Sequence, residues 1–121
     1  NGDYDLSILR KSSRVYDAKY GFCQFYSTQK YIQGGLENEN FIAYGYEDNE
    51  RYHRFKLLGY KVGRYDGNVY HMEHERTPNS WFTNPYIENN KNLYEQILKF
   101  DTQQLQEYYK NQDYLKTRKN N

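Results

Sequence analysis

The densest group of residues able to move protons is the run Tyr44-Gly45-Tyr46-Glu47-Asp48-Asn49-Glu50. Two adjacent carboxylates stand just after a glycine flanked by aromatic rings. A carboxylate so placed can take the proton from an attacking hydroxyl, Gly45 lets backbone approach a ligand closely, and Tyr44 and Tyr46 offer a stacking platform. The same acidic pair also suits a helix start, where the dipole favours negative charge. A second cluster, His71-Met72-Glu73-His74, carries two imidazoles, good ligands for divalent metals. Side chains alternate along a strand, so this spacing brings both rings together only where a strand ends and turns; otherwise one histidine packs and the other lies on the surface. The Gly34-Gly35 pair is either a helix stop with a turn, or bare backbone lining a pocket.

These groups need elements to position them. Tyr20 to Tyr26 is short and aromatic and reads as a buried strand. Ser27 is a fitting N-cap for a short helix ending at Gly34. A helix is expected from Glu47 to about Leu58, with Tyr52, Phe55 and Leu57 or Leu58 at helical spacing and Gly59 as the left-handed stop. Arg51, Arg54 and His53 then fall on its solvated face. Tyr60 to Tyr65 and Asn68 to Met72 read as two short strands, with Asp66-Gly67 as the tight turn between them. Residues 73–86, with Pro78, Trp81 and Pro85, form a long loop. A helix from about Ile87 to Phe100 follows, then a second whose N-cap Asp101 and Gln104 make a capping-box pattern. These closing helices span 87–115, Lys116 to Asn121 is a solvated tail, and residues 1–20 are a loose strand or loop. The expected fold class is α+β, with short strands and three to four helices in one domain over residues 1–121.

Composition narrows the classes. Leu, Ile, Val and Phe make up only 23 of the 121 residues, but sixteen tyrosines supply much of the missing apolar area. With 17 basic and 16 acidic residues the chain lacks the basic excess of a nucleic-acid binder. The single Cys23 excludes an internal disulfide and a multi-cysteine zinc site, and it fits a reducing, cytoplasmic compartment. No apolar run approaches transmembrane length. A start at Asn1 suggests an excised piece.

Three stretches taken together carry a resemblance: GGLENENF at 34–41, AYGYEDNERYHRFKLLGYKVGR at 43–64 and DGNVYHMEH at 66–74. Over about residues 20–77 they resemble the C-terminal, galactosyltransferase-type domain of inverting GT-A glycosyltransferases, as in β-1,4-galactosyltransferases, chondroitin polymerase-like enzymes and bacterial family 2 enzymes. The resemblance implies the C-terminal half of a GT-A fold that transfers a hexosyl or galactosyl group from a nucleotide sugar to a glycan acceptor. It assigns the general base to Asp48 and acceptor contact to Glu47. Tyr44 stands where the family has a sugar-stacking Trp, Tyr46 where it has a second glycine, and Gly34-Gly35 beside the donor sugar. A divalent cation, Mn2+ or Mg2+, would be held by His74 or His71 once the donor half is present. Trp81 is a further stacking candidate. The family's upstream nucleotide-binding half ends in an Asp-x-Asp motif. Asp3-Tyr4-Asp5 has those letters without the preceding apolar strand, so the donor half is expected to be missing and the chain inactive alone. Two other readings use the same residues: a non-catalytic carbohydrate-binding or interaction module, and a metal-dependent hydrolase built on His71, Glu73 and His74.

Overall fold

The helix that carries the Glu47-Asp48 pair is the organising element of the molecule. In the computed structural model, which describes residues 6–14, 20, 21, 23–71 and 74–118, this helix, α3, spans Glu47–Leu57. It follows α1 (Leu6–Ser12) and α2 (Thr28–Gln33), and precedes a 3₁₀ turn (Pro78–Ser80), α4 (Ile87–Ile97), α5 (Thr102–Lys110) and α6 (Asp113–Arg118). Its acidic first turn complements the helix dipole, and Gly59 ends it in the left-handed region at φ 77°. The α5 start forms as the sequence predicts. Asp101 Oδ1 accepts from Gln104 N at 2.8 Å, and Gln104 Oε1 accepts from Asp101 N at 2.9 Å.

α3 packs on α4. The apolar core is small: Ile97, Leu105 and Tyr109 are buried, with Phe41, Leu57, Leu58, Leu93, Phe100, Tyr108 and Leu115 packed around them. Polar groups fill the rest of the interior, and three of them, Glu50, Arg51 and Arg54, come from α3, whose arginines were expected on a solvated face. Arg54 and Glu50 are sealed, and Arg51 is only 9% exposed. Arg54 Nε lies 3.0 Å from Glu50 Oε1, one helical turn back. Its guanidinium also donates to the carbonyl of Gly34 and, at 2.8 Å, to that of Leu36. Tyr109 of α5 donates to Glu50 Oε1 at 2.6 Å and accepts from Asn38 Nδ2 at 2.9 Å. Burial pushes the Glu50 carboxyl above its ordinary value despite the adjacent Arg54. His53 is half-buried rather than exposed, and burial lowers its pKa.

No strand occurs among the described residues, so the expected α+β fold and the sheet of a GT-A half give way to a helical arrangement. A strand needs a neighbouring strand to bond its backbone groups, and no strand lies beside the described residues of 20–26, 60–65 or 68–71. Phe25 is 92% exposed and Tyr65 is fully exposed, so these two rings are not buried as those of a core strand would be. The amino-terminal region contains a helix instead of a loose strand, and α6 occupies part of the expected tail. Asp3-Tyr4-Asp5, Met72 and Glu73 lie outside the described residues.

Candidate active site

The approach to α3 is fixed by two asparagines. Asn84 Nδ2 donates to the carbonyls of Ile42 and Tyr44 at 3.1 and 2.8 Å. Asn90 takes the N–H of Ile42 at 3.1 Å and donates to its carbonyl at 2.9 Å. Both are buried, and they satisfy backbone groups of a loop that lies outside regular secondary structure, while Tyr44 N donates to the carbonyl of Asn79 in the 3₁₀ turn at 3.2 Å. Within it Ala43 and Tyr46 adopt positive φ of 60° and 73°, a conformation that costs about 1–3 kcal/mol for a non-glycine residue and concentrates at functional sites. Gly45 has φ 118°, and a Cβ there would lie 2.4 Å from Ile87 Cδ1. The backbone conformation there is one that glycine adopts readily, and a side chain would also displace the Ile87 methyl of α4.

This loop presents a cavity of about 270 Å³ lined by Tyr20, Tyr44, Gly45, Tyr46, Glu47, Asp48, Asn49 and Phe82. Both carboxylates are half-buried at its wall. Glu47 folds back to accept from Gly45 N at 2.7 Å. Asp48 Oδ1 accepts from Gln24 Nε2 at 2.9 Å and from Arg51 Nη2 at 3.0 Å. Tyr44 belongs to an aromatic group with Trp81 and Phe82, at ring-centroid distances of 5.8 and 5.3 Å. Arg76 stacks on the outer Trp81 at 4.2 Å from its ring. Desolvation raises the pKa of the Tyr44 hydroxyl, with a further rise from Glu47, so it stays a neutral donor and acceptor at physiological pH.

The structure therefore gathers Tyr44, Gly45, Glu47, Asp48 and, through its ring contact, Trp81 in one place. It does not place Gly34 and Gly35 there. Both are buried: a Cβ on Gly34 would meet Phe55 at 2.4 Å, and one on Gly35 would meet Tyr109 at 2.6 Å. Side chains take the room a sugar would need, and the pair works as a packing device beneath Arg54. His71 and His74 approach each other, with ring centroids 5.4 Å apart, but both are exposed and neither lines the cavity. Among the described residues no third His, Cys, Asp or Glu completes a ligand set, so these residues do not by themselves fit a divalent cation.

Sequence reasoning passed over Arg51 and Gln24, the two residues that hold Asp48. Arg51 stands one turn beyond Asp48, at a spacing that pairs opposite charges on a helix, and this was the one signal available. Gln24 gives none, because it lies in a segment without regular structure.

The site thus holds an acidic pair and an aromatic group around one cavity. The chain belongs to the galactosyltransferase family: the family model described as the N-terminal domain of galactosyltransferase matches residues 14–75, just over half of the sequence. That match contains every residue of the cavity wall except Phe82. Its description names an N-terminal domain, whereas the sequence resemblance points to a C-terminal one. No curated protein matches the chain, and no solved structure does. A glycosyltransferase-type function follows from the family.

Proposed function

We propose that this chain forms the acceptor side of an inverting, nucleotide-sugar-dependent glycosyltransferase, with Asp48 as general base. The observation that carries the reading is the convergence of Asp48, Glu47 and Tyr44 on one cavity within the family-matched region. A saccharide stacks on Tyr44 and the neighbouring Trp81 and Phe82 rings, and turns a hydroxyl toward the acidic wall. Asp48 accepts the hydroxyl proton as the acceptor oxygen attacks the anomeric carbon of the donor. The new glycosidic bond forms as the bond to the nucleoside diphosphate breaks, and its electron pair leaves with the diphosphate. Inversion follows from attack on the face opposite the leaving group. Glu47, held by Gly45 N, orients the acceptor. A cation bound through His71 or His74 would need further ligands from outside the described residues.

Galactosyl transfer from UDP-galactose to a panel of glycan acceptors by the intact natural polypeptide tests this reading. Tyr44→Ala is expected to raise the acceptor KM with a smaller effect on kcat, because it removes stacking present before and during the reaction. Asp48→Asn is expected to keep acceptor binding and lose turnover. If Tyr44→Ala removes saccharide binding while the unaltered protein transfers nothing from any nucleotide sugar, the site is that of a non-catalytic carbohydrate-binding module.

A further inference from the structure

We infer that Arg51, with Gln24, is a positioning residue for Asp48; the inference rests on the proposed role of Asp48 as base. The two residues lock the carboxylate by one oxygen and leave the other as the oxygen that receives the proton. Arg51 Nη2 and Gln24 Nε2 both reach Oδ1, at 3.0 and 2.9 Å. Oδ2 has no hydrogen-bond partner among the described residues and lies over Gly21, where a Cβ would come within 2.3 Å of it. Gly21 itself sits at φ 88°, in the left-handed region. The left-handed backbone at 21 favours glycine opposite this oxygen, and a side chain there would press on the Asp48 carboxylate.

Arg51 is itself clamped. Its guanidinium pairs with Glu37 at 3.0 Å and donates to Gln24 Oε1 at 3.0 Å and Tyr26 OH at 3.2 Å. Tyr31 in turn donates to Glu37, and burial followed by the Glu37 carboxylate pushes that hydroxyl up to about 12. Three residues of the 24–37 stretch, Gln24, Tyr26 and Glu37, therefore converge on one guanidinium that also holds Asp48. Such a network is a poor way to gain stability. The arginine is nearly buried and its Nε has no hydrogen-bond partner among the described residues, a cost that apolar packing would avoid. What the network supplies is a carboxylate fixed in one rotamer at the cavity wall, the preorganisation a proton-accepting group needs.

The test compares Arg51→Gln, Arg51→Lys, Gln24→Ala and Asp48→Asn in the intact polypeptide, by galactosyl transfer from UDP-galactose and by Tm. Arg51→Gln is expected to lower kcat about 10- to 100-fold, as a misplaced reacting group does, with the KM for UDP-galactose unchanged. Arg51→Lys recovers part of that loss, because an ammonium can hold Asp48 but not its other partners at once. Gln24→Ala, in a half-exposed segment, lowers kcat by a smaller factor with Tm retained, and it decides the matter if Arg51→Gln does not fold. Wild-type kcat in Gln24→Ala and Arg51→Gln, with Asp48→Asn inactive, overturns the positioning role and leaves the base intact. Full activity of Asp48→Asn overturns both.

Discussion

Helix α3 carries two carboxylate–arginine pairs of the same chemistry and opposite situation. Glu50 and Arg54 are sealed, with side chains at most 1% exposed, whereas Asp48 keeps 35% of its side chain open to solvent beside the 11% of Arg51. The sealed pair spends its hydrogen-bonding capacity on fixed partners: the carbonyls of Gly34 and Leu36, and the hydroxyl of Tyr109. It ties the 34–36 turn and α5 to α3 where the apolar core is thin. The open pair ends on a carboxylate oxygen with no partner among the described residues, at the edge of a cavity. Two residues of helix separate the sealed carboxylate of Glu50 from the open one of Asp48, the proposed general base. What distinguishes them is the set of surrounding partners, not the residue type.

Removing one member of each pair sharpens this contrast. Arg54→Gln strands a buried carboxylate and two carbonyls, and it is expected to cost about 3–5 kcal/mol of unfolding free energy in urea titrations. Gly35→Ala attacks the same region through the backbone. It forces a side chain into φ 93° and against Tyr109, for an expected loss of about 1–3 kcal/mol by the same titration. Asp48→Asn is expected to change unfolding free energy by less than about 1 kcal/mol, because a half-exposed pair contributes little; a loss comparable to that of Arg54→Gln would erase the distinction. The smallest effect is on His53. Its pKa is lowered by burial from 6.5, so the folded chain binds the proton less tightly than the unfolded one. The stability this group contributes is fully present above 6.5 and is lost as pH falls through the folded value. Thermal melts between about pH 7 and about pH 5 should show a shallower acid decline in His53→Gln than in the unaltered protein.

The sequence was most informative where local chemistry decides the outcome. The capping box at Asp101 and Gln104, the helix after Glu47 and its stop at Gly59 depend on neighbours within a few positions, and all are present. The strands were misread because an aromatic run such as Tyr20–Tyr26 specifies an extended chain only if another strand accepts its backbone. The buried charge on α3 escaped notice for a related reason. Apolar periodicity marks Phe55 as inward, but Arg54 is drawn in by the carbonyls of Gly34 and Leu36 and by the ring of Tyr109, all distant along the chain. The Glu50–Arg54 spacing was visible; the partners that seal it were not. At the site, the acidic pair and Tyr44 were legible as residue types. The space above Gly34 and Gly35 was not, because only the fold shows that Phe55 and Tyr109 fill it.

The most direct test of the account is the rate of galactosyl transfer by Asp48→Asn in the intact polypeptide, measured with UDP-galactose on a sample whose Tm matches the unaltered protein. Loss of the general base is expected to lower kcat about 10²- to 10⁴-fold with acceptor binding retained. Transfer at the unaltered rate would show that the open carboxylate of α3 does no chemistry.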